Sequence, residues 1–185
     1  MKNIAVFASG TGTNFQAIVE SKELQANIAL LVCDKKDALV IQKAQEKNIP
    51  TFVFHAKDYP NKAAYERDIL MQLNKYDIDW LVLAGYMRLV GPTLINAYPN
   101  KIVNIHPSLL PNFPGLHAIE QAYNSKVRLT GVTIHFVDEG MDTGKIIAQK
   151  ALSISSRDSL ESLEEKIHKI EHELYPVTLQ KLIGE

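Results

Sequence analysis

The fold is decided first by residues 4–14, which read IAVFASGTGTN. Five apolar residues predict a short buried strand, and the serine, glycine and threonine residues after them predict a tight turn. Apolar residues at helical spacing then continue over residues 14–21. The stretch therefore predicts a strand, a glycine-rich loop and a helix in succession, which is a building unit of α/β proteins.

The same alternation recurs along the first hundred residues. Short apolar runs rich in Val, Ile and Leu predict further buried strands at residues 28–33, 51–54, 80–84 and 102–105. The helices predicted between them cover residues 37–47, residues 62–76 and a shorter segment opened by Pro92 after Gly91. Alternating strands and helices predict an α/β fold with a doubly wound, mostly parallel, Rossmann-like sheet.

The pattern changes after Pro111. A helix is predicted at residues 116–124, and strands are predicted at residues 131–137 and 145–154, joined by a glycine-rich loop. Because two strands joined by a short loop pair in opposite directions, this segment predicts an antiparallel C-terminal extension of the sheet.

A long C-terminal helix is predicted over residues 159–182. The apolar residues along one of its faces are Leu160, Leu163, Ile167, Ile170 and Leu174. Proline removes a backbone donor, so Pro176 is expected to bend or restart this helix. No repeat, low-complexity tract or linker interrupts the sequence, which predicts a single domain over residues 1–185.

The composition excludes several classes of function. The chain has 185 residues, of which 46% are hydrophobic and 22% charged, as in an ordinary globular protein. A formal net charge of -1 gives no general attraction for nucleic acid. A single cysteine, Cys33, predicts a reducing compartment and a buried thiol, and the first apolar run is too short for a secretory signal or a spanning helix. We therefore expect a cytoplasmic protein without nucleic-acid or membrane partners.

The loop at residues 9–14 has the composition of an anion site. Glycines let the backbone approach an anion, and the start of a helix favours negative charge, so a phosphate monoester would fit there. No Gly-Lys-Ser/Thr follows, which excludes a nucleotide-triphosphate loop, and Phe15 stands where a dinucleotide fingerprint needs its third glycine. The alternative is a simple turn in which Thr13 or Asn14 caps the helix.

Three side chains from distant parts of the sequence have the chemistry of acyl transfer. Asn104 and His106 close the fifth predicted strand on one face, because alternate strand residues point to the same side. Asp142 lies in an acidic, glycine-flanked loop at residues 138–144, which taken alone fits a surface turn or a weak cation site. An amide N–H can stabilise an oxyanion, an imidazole can move a proton near neutral pH, and a carboxylate can fix the imidazole tautomer. We expect all three beyond the carboxyl ends of the strands, where open α/β sheets bind ligands.

Four motifs together resemble the folate-dependent formyltransferases. They are the loop at residues 9–14, the segment AGYMR at residues 84–88, the run NIHPSLLPNFPG at residues 104–115 and the segment DEGMDTG at residues 138–144. The resemblance covers nearly the whole chain. It implies transfer of the formyl group of 10-formyltetrahydrofolate to the amine of glycinamide ribonucleotide in de novo purine (IMP) biosynthesis, without a metal.

The resemblance also assigns roles to residues of the acceptor site and the reacting centre. It implies that Gly12, Thr13 and Asn14 hold the substrate phosphate and that Glu171 contacts the glycinamide substrate. On helical periodicity alone, Glu171 would lie on a solvated face. The resemblance further implies that Asp142 pairs with His106, while Asn104 and His106 hold the oxygen of a tetrahedral intermediate.

The folate site is likewise implied by the resemblance. Its residues are Lys62, Met87, Arg88, Leu89, Val90, Asn104, Asp138, Glu139, Gly140, Met141 and Asp142. Lys62 stands where some relatives carry arginine, and His117 matches a family histidine near the site. Residues 1–100 would thus form a phosphate- and substrate-binding half of one formyltransferase domain, and residues 101–185 would form a catalytic and folate-binding half. The expected assembly is a monomer or homodimer.

Several alternatives stay open at this point. Methionyl-tRNA formyltransferase and formyltetrahydrofolate hydrolase share the Asn, His and Asp core, although 185 residues leave no room for the extra domain that each carries. A non-catalytic nucleotide- or folate-binding module would not need the three reacting side chains. His168 and His172 lie one helical turn apart, but their spacing to nearby glutamates follows no zinc motif.

Overall fold

The centre of the molecule is a seven-stranded sheet in a computed structural model that describes residues 1–184. The strands are β1 (Lys2–Ala8), β2 (Ala26–Cys33), β3 (Thr51–Val53), β4 (Trp80–Leu83), β5 (Ile102–His106), β6 (Leu129–Phe136) and β7 (Ile146–Ser153). The helices are α1 (Thr13–Glu20), α2 (Leu39–Glu46), α3 (Lys62–Lys75), α4 (Pro92–Ala97), α5 (Ala118–Asn124) and α6 (Leu160–Ile183), with a 3₁₀ turn at Ala56–Asp58.

The strand order confirms the predicted fold class. The sheet runs β3-β2-β1-β4-β5-β6-β7; the first five strands pair in parallel, and β6 and β7 are antiparallel. Strand order reverses beside β1, because the chain moves outward to β2 and β3 before returning to β4 on the other side. Such a reversal opens a crevice at the carboxyl ends of the strands.

Both faces of the sheet are buried at its central strands β1, β4 and β5, as the continuous apolar runs predict. In β1, Ile4 and Val6 belong to a core covered by α1 and α6, whereas Ala5 and Phe7 belong to a second core covered by α3 and α4. This alternation follows from the two-residue period of a strand. Cys33 is fully buried in the first core, in agreement with its prediction as a small hydrophobic residue.

The C-terminal helix differs from its prediction at the proline. α6 begins at a capping box formed by Ser159 and Ser162 and continues without interruption past Pro176 to Ile183, so the predicted restart is wrong. Packing outweighs the lost backbone bond, because Tyr175 and Leu179 on either side of the proline are fully buried. The Tyr175 hydroxyl also donates to the Leu83 carbonyl at 2.7 Å, which anchors α6 to the end of β4.

Element boundaries shift by about two residues in a few places. The helix predicted at residues 116–124 begins at Ala118, because His117 has a left-handed φ of 58° and cannot be part of it. β6 begins two residues before the predicted Gly131. Within residues 1–184, no helix combines the length and the apolar character that crossing a membrane requires.

Candidate active site

A cleft of about 410 Å³ opens at the carboxyl ends of the central strands. Its walls include residues 10–14 after β1, residues 83–90 at the end of β4 and residues 104–107 at the end of β5. Segments that follow three different strands therefore line one cleft. Its volume lies within the usual range for sites that bind small molecules.

One end of the cleft is the loop that joins β1 to α1. Gly12 precedes the helix with φ 77°, and no side chain caps the first turn, so the alternative in which Thr13 or Asn14 caps the helix is wrong. The first N–H groups of α1 have no partner within the helix and can donate hydrogen bonds to an anion there. Glycine is required at position 12, because a Cβ would lie 2.5 Å from Val40 Cγ2.

A buried carboxylate fixes this end of the cleft against α6. Asn14 Nδ2 donates to Glu171 Oε2 at 2.8 Å, and His168 Nδ1 lies 3.0 Å from Glu171 Oε1. Glu171 is only 5% exposed, so the solvated position suggested by helical periodicity is wrong. The polar side of α6 faces α1 at this point, and sequence periodicity does not reveal that packing. The hydrogen bond to Glu171 raises the pKa of His168 despite the opposing effect of burial.

The centre of the cleft contains Asn104 and His106. Both lie on β5, and Ile105 between them is 6% exposed and belongs to the core, as the two-residue period predicts. His106 is 5% exposed, so its ring reaches the cleft from a largely dry position. Burial of this kind strengthens electrostatic interactions with any charge that develops nearby.

The third side chain, Asp142, reaches this centre from the loop after β6. Its Oδ2 atom lies 3.5 Å from His106 Nδ1 and accepts the Gly115 N–H at 2.7 Å. Asp142 itself has a left-handed φ of 55°. An amide, an imidazole and a carboxylate that are distant in sequence therefore line the same cleft, with the acid beside the imidazole.

Hydrogen bonding defines which nitrogen of His106 faces the acid. His106 Nε2 lies 2.8 Å from the Phe113 carbonyl oxygen, which can only accept a hydrogen bond, so Nε2 carries a proton. In the neutral ring, Nδ1 then carries a lone pair and can take up a proton. In the imidazolium form, Nδ1–H can instead donate to Asp142 or to an oxyanion.

The environment of Asp142 keeps its side chain ionised. Burial favours the neutral acid, but the contact with His135, the Gly115 N–H and the charge of His106 together outweigh it. The pKa of Asp142 is consequently lowered from its ordinary value. Asp142 is therefore a carboxylate at neutral pH and can accept a proton.

His135 is a member of this cluster that the sequence analysis missed. Its Nε2 atom lies 3.3 Å from Asn104 Nδ2 and 3.6 Å from Asp142 Oδ1, while its Nδ1 atom donates to the Phe136 carbonyl at 2.8 Å. His135 stands directly opposite Asn104 in the antiparallel pairing of β5 with β6. Only that register could have revealed it, and the sequence alone does not define the register.

A second part of the cleft wall, the apolar end, is lined by large apolar side chains. Four large apolar side chains that are 43% to 58% exposed line it: Met87, Leu89, Leu116 and Met141. Exposed apolar groups around one opening are typical of a ligand site. The charge of Arg88 is neutralised, because its Nε atom donates to buried Asp34 at 2.8 Å.

The residues of the folate site implied by the resemblance divide into two groups. Those that line the cleft are Met87, Arg88, Leu89, Val90, Asn104, Gly140, Met141 and Asp142. Lys62, Asp138 and Glu139 are not among the lining residues. Asp138 Oδ1 instead accepts the Gly140 N–H at 3.0 Å and the Thr143 hydroxyl at 2.7 Å, which shapes the loop, and the Lys62 ammonium donates to the Leu89 carbonyl.

The remaining histidines form no metal cluster in the described part of the chain. Among residues 1–184, no group of three or more His, Cys, Asp or Glu side chains is arranged to hold a metal ion. His168 and His172 stack with their ring centres 6.4 Å apart. His117 lines the cleft mouth with a side chain that is 77% exposed, 4.0 Å from Glu120.

Comparison with known proteins identifies the class. The sequence model of the formyl transferase family matches residues 2–179, so the chain belongs to this family and is a formyltransferase. It is 54% identical over 187 residues to the phosphoribosylglycinamide formyltransferase of Bacillus subtilis, covering 100% of this chain and 96% of that protein. The predicted family resemblance is thereby confirmed.

Two further relatives agree with this assignment. The crystal structure of glycinamide ribonucleotide transformylase 1 from Geobacillus kaustophilus matches with a TM-score of 0.97 and 60% identity over 100% of both chains. The trifunctional purine biosynthetic protein adenosine-3 of Drosophila melanogaster is 38% identical over 188 residues, which cover 99% of this chain and 14% of that much longer protein.

Proposed function

We propose that this enzyme transfers the formyl group of 10-formyltetrahydrofolate to the amine of glycinamide ribonucleotide, a step of de novo purine (IMP) biosynthesis. The names of its relatives support the acceptor and the pathway. The observation that carries the proposal is the position of Asn104, His106 and Asp142 in one cleft, with an anion loop at one end and an apolar wall at the other. A phosphorylated amine and a flat heterocycle would meet there.

The acceptor fits the polar end. Its phosphate would lie on the N–H groups that Gly12, Thr13 and Asn14 contribute, where the helix dipole favours a negative charge. Glu171 would face the glycinamide part, and its bond to Asn14 would hold both residues in place before the substrate arrives. Such preorganisation lowers the entropic cost of orienting the amine.

The formyl donor fits the apolar end. The exposed side chains of Met87, Leu89 and Met141 offer area to a flat ring, and loop backbone groups next to them can pair with its polar edge. Arg88 and Asp34 neutralise each other, so that this wall adds no unpaired charge. Gly140 and Asp142 would close the pocket beside the reacting centre.

The chemistry that follows is a direct attack. The amine forms a bond to the formyl carbon, and the Asn104 amide and the His106 imidazolium hold the resulting oxyanion by donating hydrogen bonds. The bond from that carbon to the folate nitrogen then breaks as the carbonyl reforms. The products are formylated ribonucleotide and tetrahydrofolate, so no oxidant or reductant is needed.

Asp142 would transfer the proton between the amine and the leaving folate nitrogen. The attacking amine must lose a proton, and the leaving folate nitrogen must gain one. Asp142 is ionised because its pKa is lowered, and it can take up the amine proton through a water molecule and return it to the leaving nitrogen. The same carboxylate lies 3.5 Å from His106 Nδ1, the nitrogen that would donate to the oxyanion, and so would hold the imidazole ring in the required orientation.

A covalent formyl-enzyme is not part of this route. Ser108 donates its hydroxyl to the Asn112 carbonyl at 2.6 Å, and among the described residues no hydrogen bond joins it to a base; the buried Cys33 thiol has a pKa raised chiefly by burial. Neither side chain has the features of an activated nucleophile. Trapping a stoichiometric formyl-enzyme after acid quenching would contradict the direct attack.

A single assay tests the function. Purified enzyme is mixed with 10-formyltetrahydrofolate and glycinamide ribonucleotide, and the release of tetrahydrofolate is followed by absorbance. We expect turnover that depends on the ribonucleotide and gives one formylated acceptor per tetrahydrofolate. The same reaction without acceptor, and with methionyl-tRNA in its place, provides the controls.

Each other result favours a different function. Equal turnover without any acceptor would identify a hydrolase, and turnover with methionyl-tRNA alone would identify a tRNA-modifying formyltransferase. Binding of both ligands without turnover would indicate a binding module. Any of these three results would overturn the proposed acceptor reaction.

A further inference from the structure

Part of the apolar wall of the cleft is the loop at residues 84–91 between β4 and α4, which other segments hold in place. Ser9 Oγ accepts the Met87 N–H at 2.9 Å, and Asp34 holds the Arg88 guanidinium at 2.8 Å. Both contacts come from the carboxyl ends of strands, on the cleft side of the sheet. These two contacts do not reach the second half of the loop, up to Gly91.

Helix α3 supplies that second support. Lys62 Nζ donates to the Leu89 carbonyl at 2.7 Å, and the Gly91 N–H donates to Glu66 Oε2 at 2.8 Å. Lys62 and Glu66 are four residues apart and therefore lie on one face of the helix. Together they bind one carbonyl and one N–H of the same short backbone segment from behind the cleft.

The fit between the helix and the loop is tight. A Cβ at Gly91 would lie 2.6 Å from Glu66 Oε1 and 2.8 Å from Lys62 Cδ, so a larger residue there would have to displace these two side chains. Glu66 is 1% exposed, and within the described residues its Oε1 atom is buried without a hydrogen-bond partner. Burying a carboxylate oxygen without a hydrogen-bond partner costs free energy of folding, which indicates a specific role for Glu66.

We propose that Lys62 and Glu66 are positioning residues that clamp residues 89–91 and so determine how tightly the cleft binds the folate donor. The inference rests on the proposed function, because it assumes that residues 87–90 contact the donor. Neither side chain touches the donor in this account. Lys62 thus affects the folate site through the Leu89 carbonyl rather than by lining it.

The electrostatics of the clamp agree with this role. Burial raises the pKa of Glu66, while the Gly91 N–H, the Lys62 charge and the Leu94 N–H act in the opposite direction. Replacing Glu66 by Leu would leave the Gly91 N–H buried without an acceptor, which makes the present loop position unfavourable. Replacing it by Gln retains an oxygen at the same place.

The test measures donor affinity separately from catalysis. Tetrahydrofolate is titrated into wild type, Glu66→Leu, Glu66→Gln and Lys62→Met, with Lys75→Met at the far end of α3 as the matched control. We expect the Kd for tetrahydrofolate and the KM for the donor to rise about tenfold in Glu66→Leu and severalfold in Lys62→Met. The KM for the ribonucleotide and kcat should change by less than about threefold, and Glu66→Gln and Lys75→Met should stay near wild type.

The outcomes separate this inference from the proposed function. If wild type binds tetrahydrofolate and both Glu66→Leu and Lys62→Met bind it within twofold of wild type, the clamp is wrong while the proposed function stands. If wild type itself does not bind tetrahydrofolate, the proposed function fails. Lys62→Met keeps the test decisive even if Glu66→Leu does not fold, because Lys62 is only partly buried.

Discussion

The two ends of the cleft are built in different ways. The polar end consists of backbone N–H groups at the start of α1, supported by the buried Glu171 and its bond to Asn14. The apolar end consists of exposed side chains such as Met87 and Leu89 on a loop that α3 holds from behind. In the proposed function, a small anion needs fixed hydrogen-bond donors, whereas a flat heterocycle needs correctly positioned apolar surface. Different parts of the cleft wall would bind the two groups.

The reacting centre between the ends should show the largest effect. His106→Ala removes the group that faces Asp142 and, in the proposed mechanism, donates to the oxyanion, so we expect kcat to fall about hundredfold or more. Binding at both ends should be retained, because His106 belongs to neither, and the Kd of each substrate should stay within about threefold of wild type. Steady-state kinetics together with tetrahydrofolate titration measure both quantities. A loss confined to KM would show that His106 only binds substrate.

The polar end can be disrupted on its own through Gly12. Gly12→Ala places a Cβ 2.5 Å from Val40 Cγ2 at a φ of 77°, so we expect the free energy of unfolding to fall by about 1–3 kcal/mol. The KM for the ribonucleotide should rise about tenfold, because the N–H groups at the start of α1 must move, while the tetrahydrofolate Kd is unchanged.

Gly10→Ala is the matched control for stability. Nothing lies within 4 Å of a Cβ at position 10, so its free energy of unfolding should change by less than about 0.5 kcal/mol. Urea denaturation compares the two variants. Equal stability of Gly12→Ala and wild type would contradict the close packing of this loop against α2.

The sequence predicted the glycine-rich loop better than it predicted the long-range packing around the cleft. A strand, a glycine-rich loop and a helix follow each other directly, so local patterns define the loop at residues 9–14 that is proposed to bind the anion. His135 was missed because its place opposite Asn104 depends on the pairing register of β5 with β6. The burial of Glu171 was missed because it depends on how α6 packs against α1. The positions of His135 and Glu171 thus depend on long-range packing, which local periodicity cannot predict.

His135 provides a test of that missed contact. His135→Leu removes the partner of the Asn104 amide and of Asp142, so we expect kcat to fall about tenfold with little change in either KM. His135→Gln, whose side-chain oxygen can accept from Asn104, should restore part of the loss. Steady-state kinetics for both variants decide the matter. If the two variants were equally impaired, the contact would have no part in orienting Asn104.

The smallest expected effect is a pH dependence of stability at the polar end. Glu171 raises the pKa of His168, so their pair stabilises the folded state fully below the unfolded pKa of histidine, and this contribution is lost as pH rises through the folded pKa. Because the His168 side chain is 51% exposed, the gain should be only a few tenths of a kcal/mol.

Urea midpoints for wild type and His168→Gln at acidic and alkaline pH measure this gain. The difference between the two proteins should shrink as the pH is raised. His117→Gln, at a histidine whose side chain is 77% exposed, is measured in parallel as the surface-histidine control. A difference that grows with pH would contradict the assigned sign.

The most direct test of the central claim is kcat for Asn104→Ala with both substrates saturating. Asn104 lies on β5 and lines the cleft, and in this account its amide donates to the oxyanion. We predict a kcat about hundredfold below wild type, with the tetrahydrofolate Kd and the ribonucleotide KM within about threefold of wild type. A kcat within threefold of wild type would contradict the account.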